Sequence, residues 1–327
     1  MAIQITLVGL GQIGTSMGLA LGGHANSILR VGHDRRIETE REAQKLGAID
    51  KGMHNLPAAV REARLVVLSL PLSQIRRALE VIGQDLPEGA VVLDTSPIKT
   101  QVLAWAKELL PAGRHYIGLV PGLNPEVLEK LTLGEQTRSA DLFKRAVFIV
   151  DAPRGAPEEA VNLACNFVEL LGASPLLADL AESDGLMASA HLMPQLAAAA
   201  ILNATVDRPG WEDVRKLASR AFAAMTSGLE QHDELESLRL AALHSASDTV
   251  RALDVLIAAL QGLRDEIEGA DEAGLARRLE AAKEGRERWR NERMAADWTQ
   301  GTAPPIEAPS MAERLFGSAI VKPRRRA

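Results

Sequence analysis

The chain opens on a short apolar run, Ile3–Val8, and returns to such runs throughout its first half. Ile28–Gly32, Leu65–Leu70, Ala90–Asp94, His115–Leu119 and Ala146–Val150 are short and mostly aliphatic. Runs of this kind predict strands buried on both faces. Between them, Thr15–Leu21, Glu38–Leu46, Gln74–Ile82 and a stretch from about Lys99 to Leu110 have helical composition, and Gly47 and Pro71 punctuate the series. Strands alternating with helices predict βαβ units and a parallel sheet. After Pro175 the apolar residues recur every three or four positions instead. Leu235, Leu238, Ala242, Ala246, Val250, Leu253, Ile257, Leu260, Leu263 and Ile267 trace one helical stripe. At about 1.5 Å per residue such a helix outruns a small domain. The few other helices available cannot cover it, which predicts a homodimer through a shared helical core. The pattern divides the chain into an α/β domain (1–178), an all-helical domain (179–298) and a tail (299–327).

Composition narrows the classes. The 327 residues are 46% hydrophobic and 24% charged, as in globular proteins, and 3% aromatic. So few rings argue against base stacking on nucleic acid. The net charge is −6; residues 1–150 carry 17 basic and 15 acidic groups, a net of +2, and the rest carry −8. Neither half is a basic footprint, so no nucleic-acid partner is expected. The single cysteine, Cys165, excludes an intrachain disulfide. The N-terminus lacks a basic leader region, and no window of 18 or more residues is uninterruptedly apolar. The expectation is a cytoplasmic protein with no membrane partner. In the tail, Pro304, Pro305 and Pro309 precede an apolar patch, Met311–Ile320, and the basic end Lys322 and Arg324–Arg326, read as solvated.

Gly9-Leu10-Gly11-Gln12-Ile13-Gly14 is a G-x-G-x-x-G between a strand and a helix, and Asp34 follows Gly14 by 20 positions. In this pattern the first glycine permits a tight turn, the second lets the backbone approach a pyrophosphate, and the third lets helix and strand pack closely. Asp34 is placed to accept hydrogen bonds from ribose hydroxyls, favouring NAD. Arg35 and Arg36 follow at once, and either guanidinium could hold the 2′-phosphate of NADP. Ser69-Leu70-Pro71 ends a later strand and is expected to border the cofactor. Thr95, after Asp94, is expected near its nicotinamide end.

GLGQIGTSMGLAL, GHD at Gly32–Asp34, LVVLSLP and VLDTSPIK at Val92–Lys99, in that order, resemble the prephenate and arogenate dehydrogenases. Asp184-x-x-x-Ala188-x-x-His191-Leu192-Met193-Pro194 and Val214–Met225 extend the likeness to about residue 295. The resemblance implies a Rossmann-type N-terminal domain, an all-α C-terminal dimerisation domain and an active site in the cleft between them. It also implies oxidative decarboxylation of prephenate or arogenate, a step of tyrosine biosynthesis, with hydride passed to a nicotinamide.

Several positions depart from the family pattern. The family's G-G-H-P-M-x-G histidine falls on Val120, its D-x-x-S-x-K serine on Pro97, a histidine before the helix aspartate on Ser183, and the last histidine of S-H-L-P-H on Gln195. Val120 cannot take a proton. His191, one position out of step with a family histidine, is the candidate substitute base; the plainer alternative is a helix histidine that packs locally. Lys99 either polarises a substrate oxygen or holds a carboxylate, or lies in solvent in the first turn of a helix. Ser96 either donates a hydroxyl or caps that helix. The family's carboxylate-binding arginine falls on Lys216, with Arg215 beside it, and Gln195 is a third candidate substrate contact. His232 and His244 read as surface or interface residues. No sequence spacing suggests a metal site. A same-fold enzyme for a less polar substrate, or a dinucleotide-binding protein without catalysis, remains compatible with these residues.

Overall fold

The computed structural model describes residues 2–131, 138–229 and 235–296. The tail read from the sequence, with Lys322 and Arg324–Arg326, and His232 lie outside the described residues.

The first part is a sheet flanked by helices. Its elements are β1 (Ile3–Val8), α1 (Gln12–Ala20), β2 (Ile28–His33), α2 (Ile37–Lys45), β3 (Lys51–Gly52), α3 (Leu56–Val60), β4 (Ala63–Leu68), α4 (Leu72–Ile82), β5 (Val91–Asp94), α5 (Thr100–Leu109), β6 (His115–Pro121), α6 (Pro125–Leu131), β7 (Val147–Asp151), α7 (Glu158–Leu170) and β8 (Ser174–Ala178). The strand order is β3-β2-β1-β4-β5-β6-β7-β8. The order reverses between β1 and β4, and open parallel sheets bind ligands outside the carboxyl ends of the strands at such a point. The sheet is parallel except that β6 and β7 pair antiparallel, Gly118 opposite Asp151. The apolar runs gave no warning of that reversal, because direction is a matter of connection and not of side-chain pattern.

Side-chain alternation splits the core into two layers. Leu65, Val67, Val91, Leu93, Ile117 and Leu119 face one way, onto Phe143, Phe148 and Phe167. Val66, Leu68 and Val92 face the other, onto Ile75, Leu79, Ile82 and Trp105 of α4 and α5. Leu180, Leu192, Leu238 and Ala241 complete this second layer. The helical region is thereby seated directly on the face of the sheet domain.

That region comprises α8 (Leu180–Met187), a π-helical turn at Ala188–Leu192, α9 (Met193–Thr205), α10 (Trp211–Leu217), α11 (Arg220–Thr226), α12 (Leu235–His244), α13 (Ala246–Glu268) and α14 (Glu272–Ala295). The stripe expected to be one helix is broken at Ser245, whose backbone leaves the helical region (φ −111°, ψ 43°). Leu180–Thr205 is one helical stretch long and apolar enough to cross a membrane by length and composition. Its residue Asp184 is buried against α5 and serves the site described next.

Candidate functional site

The glycine loop joins β1 to α1 at the reversal of strand order. Gly9 has φ +90°, a conformation that favours glycine. A Cβ there would strike the Ser69 carbonyl oxygen, and a Cβ on Gly14 would strike the Gly9 carbonyl oxygen. Both glycines are required by the fold itself. Gly11 differs, since a Cβ there would meet nothing within 4 Å. It caps α1 without a side-chain cap hydrogen bond, at the edge of the cavity described below. A helix N-terminus of this kind attracts phosphate. Thr15 Oγ1 donates to the Leu10 carbonyl at 2.7 Å and fixes the loop from behind. The residues therefore fit a dinucleotide.

Asp34 sits where the sequence placed it, at the end of β2. Its Oδ2 accepts from the Leu10 N–H and its Oδ1 from the Arg36 N–H, each at 3.0 Å. These bonds hold the carboxylate toward the glycine loop. Arg35 and Arg36 are exposed beside it.

A cavity of about 250 Å³ opens next to the loop. Gly11, Gln12 and Ile13 form one wall, Ser69–Leu72 a second, and Thr95, Ser96 and Pro97 a third. His191, Leu192, Ser237, Leu238 and Ala241 close it from the helical side. The sequence reading missed Leu72 and the three residues of α12. Their helix is separated from the loop by more than two hundred positions, and no local pattern announces the contact.

His191 reaches the cavity from the π-helical turn. Such a turn carries one residue more than an α-turn, and π-bulges recur at functional sites. The extra residue changes which side chains face the sheet domain, so His191, out of step in the linear comparison, lines the cavity. Leu192 is fully buried. Gln195 does not line the cavity. Its Nε2 donates to the His191 carbonyl at 2.8 Å, and its Oε1 is buried without a partner. Its observed part is to brace the turn that carries His191, in place of the substrate contact expected.

Two further expectations are corrected. Lys99 is neither solvated nor open to the cavity. Its side chain is 0% exposed, and Nζ lies 2.7 Å from Asp94 Oδ2 and 2.9 Å from the Asp94 carbonyl. Arg215 and Lys216 lie on exposed α10, each paired within its own helix, with Glu212 and Asp213. Neither lines the cavity. Ser96 does, but it does not cap α5. Its hydroxyl donates to the Ile98 carbonyl at 3.3 Å. The cap comes from the other domain: Asp184 accepts from the N–H groups of Lys99 (2.6 Å) and Thr100 (3.1 Å).

Around Lys99 lies a buried polar seam. Tyr116 donates to Asp94 Oδ2 at 2.9 Å, and Ser183 donates to Asp151 Oδ1 at 2.5 Å. Asp151 Oδ2 has no partner. Burial pushes the Asp151 carboxyl up to about 6, against the Ser183 hydrogen bond and the Lys99 charge, while Asp184 and Asp94 push the same way as burial. Burial, reinforced by Asp94, also raises the Tyr116 hydroxyl well above its ordinary value. Val120 is buried, 8% exposed, on β6. Asp151, Asp184 and Tyr116 had no assigned role in the sequence reading. An acid closing an otherwise apolar strand, as in Phe148–Asp151, was the available signal for the first.

The arrangement defines a nucleotide-binding α/β protein with a ligand cleft against a helical domain. Residues 17–177 match the family described as "Prephenate dehydrogenase, nucleotide-binding domain". A prephenate dehydrogenase of Bacillus subtilis (strain 168) is 24% identical over 285 residues, 86% of this chain and 75% of the relative. A cyclohexadienyl dehydrogenase of Zymomonas mobilis is 23% identical over 270 residues, 82% of this chain and 89% of the relative. The crystal structure of prephenate dehydrogenase from A. aeolicus with hydroxyphenyl propionate and NAD+ superposes with a TM-score of 0.74 at 19% identity, covering 88% of this chain and 98% of that one. The family match is confined to the nucleotide-binding part, just under half of the chain, while the likeness to the relatives and to the solved structure runs through the helical part as well.

Proposed function

We propose that the protein is an NAD-dependent dehydrogenase of the prephenate/arogenate type, working in tyrosine biosynthesis in the cytoplasm. The observation that carries this reading is the single cavity lined both by the glycine loop and by His191. When bound, the nicotinamide would accept the hydride that leaves the substrate ring. The N–H groups following Gly11 receive the pyrophosphate, and Asp34 takes the ribose hydroxyls and disfavours a 2′-phosphate. Arg35 and Arg36 are the residues on which NADP use would rest. Thr95 and Ser96 border the nicotinamide end. His191 takes the proton of the substrate hydroxyl. Lys99 supports this wall through Asp94 and touches no ligand.

The test is to mix the protein with NAD and prephenate or arogenate and follow absorbance of the reduced cofactor. Turnover is expected below the ordinary range of about 1–10³ per second, because Val120 replaces the family base. His191→Ala is expected to lower it by a further 10²–10⁴-fold, roughly the worth of a general base. Unchanged turnover in that variant would remove His191 from the role. A second reading, a same-fold dehydrogenase for a less polar substrate, is favoured by Val120 and by Ser183 being committed to Asp151. Tight NAD binding with no turnover of either compound would select it, or a protein that binds the dinucleotide without catalysis.

The same reading includes a homodimer. On α13, Val250, Ile257, Leu260 and Ile267 are 55%, 49%, 56% and 64% exposed in the single chain and fall on one side of the helix. An uncovered apolar helix face supports this reading. Light scattering is expected to give the mass of two chains; a monomer at micromolar concentration would refute it.

A further inference from the structure

The sequence shows no metal-ligand spacing, yet the fold gathers three ligand-type side chains behind the cofactor loop. His33 ends β2, Glu40 lies on α2, and His54 follows β3. One ligand atom from each lies within 4.8 Å of the others. His33 Nδ1 is 3.6 Å from Glu40 Oε1, His54 Nδ1 is 3.3 Å from the same oxygen, and the Met53 carbonyl is 3.0 Å from His33 Nδ1. Ligands held tetrahedrally at zinc distances of about 2.0–2.2 Å stand about 3.3–3.6 Å apart. The observed separations fall close to that spacing before any ion is placed.

We propose that His33, Glu40 and His54 form a Zn²⁺ site, with the Met53 carbonyl as fourth donor. The donor set of two imidazoles and one carboxylate suits zinc better than magnesium or calcium, which prefer oxygen throughout. Side-chain exposure is graded as an ion path requires: Glu40 5%, His33 13%, His54 55%. The outer histidine is open and the inner carboxylate is closed. Without metal, His33 Nδ1 carries the hydrogen that it shares with the Met53 carbonyl. Binding shifts that hydrogen to Nε2, leaving the Nδ1 lone pair for the ion and releasing no net proton from this ring. The Asp34 N–H donates to Glu40 Oε1 at 3.0 Å. It orients the ligating carboxylate in the way that outer hydrogen bonds orient metal ligands.

The experiment is a titration of the full chain with Zn²⁺ against a chromophoric chelator at neutral pH, followed by zinc-edge X-ray absorption. One zinc per chain with two imidazole ligands is expected. Loss of an outer-shell partner alone costs about 10–100-fold in metal affinity, so His54→Ala is expected to lose at least about 100-fold. His54 is largely exposed, and its variant is expected to melt with the metal-free wild type. Glu40→Gln provides a second variant that retains shape. Absence of zinc binding by the wild type, or equal binding by wild type and His54→Ala, would overturn the proposal.

Discussion

Gly11→Val is expected to fold as the wild type does and to bind no NAD. A Cβ at residue 11 meets nothing within 4 Å beyond its own chain neighbours, so the melting temperature is expected to stay within about 2 °C, as for a neutral surface change. The space it fills is the space where a pyrophosphate would approach the start of α1. Affinity for NAD(H) by titration calorimetry is expected to fall by at least about 100-fold, on the order of 3 kcal/mol. Gly14→Val is the contrasting variant. Its Cβ would run into the Gly9 carbonyl, so it is expected to lose stability as well as binding. Unchanged NAD affinity in Gly11→Val would show that the dinucleotide does not use this loop.

Lys99→Met is expected to be the most destabilising single change in the sheet domain. Met fills the stem's volume, so little packing is lost. The loss is electrostatic: Asp94 keeps its Tyr116 hydrogen bond but loses the ammonium 2.7 Å away, in a place with no solvent access. Removing one partner of a buried pair costs about 3–5 kcal/mol. The lost charge also opposes the upward push on Asp151, so that carboxyl is expected to rise further above 6. A group whose folded value is raised favours the folded state below its unfolded value near 3.8 and loses that contribution as pH rises through the folded value. The variant's deficit is therefore expected to be larger at pH 8 than at pH 4 in urea denaturation. Adding Asp94→Asn is expected to recover part of it. A deficit under about 1 kcal/mol, or one independent of pH, would show that the pair contributes no more than a surface ion pair.

The sheet domain was legible in the chain because each of its features has a local cause. Apolar runs of strand length, glycines fixed by turn geometry and an acid at a set distance all act within a few tens of residues. The positions of Asp34 just after β2 and of Gly11 at the start of α1 were legible in this way. The helical half was less legible. Its stripe marked the buried face correctly at Leu238, but nothing local marked the break at Ser245. Lys99 shows where local reading stops. A lysine in the first turn of a helix is ordinarily solvated, and its burial follows from Asp94, Asp151 and Asp184 arriving from three other elements. His191 was recognised, but its direction depends on a π-turn that spacing on an ideal α-helix does not provide.

The cap that Asp184 places on α5 bears on how the protein can move. Two backbone N–H groups of the sheet domain have their acceptor on the helical domain, 85 and 84 positions away. Swinging the domains apart at this seam would strand those donors, uncover a carboxylate and wet the contact that Leu180 and Leu192 make with the sheet face. Each orphaned group costs about 1–3 kcal/mol, so a hinge here would open rarely. α12 is seated on the same face by Leu238 and Ala241, and Ser237 at the cavity rim accepts the Ser73 N–H at 3.2 Å. Ligands would then enter and leave past side chains at the cavity mouth while the two domains stay locked.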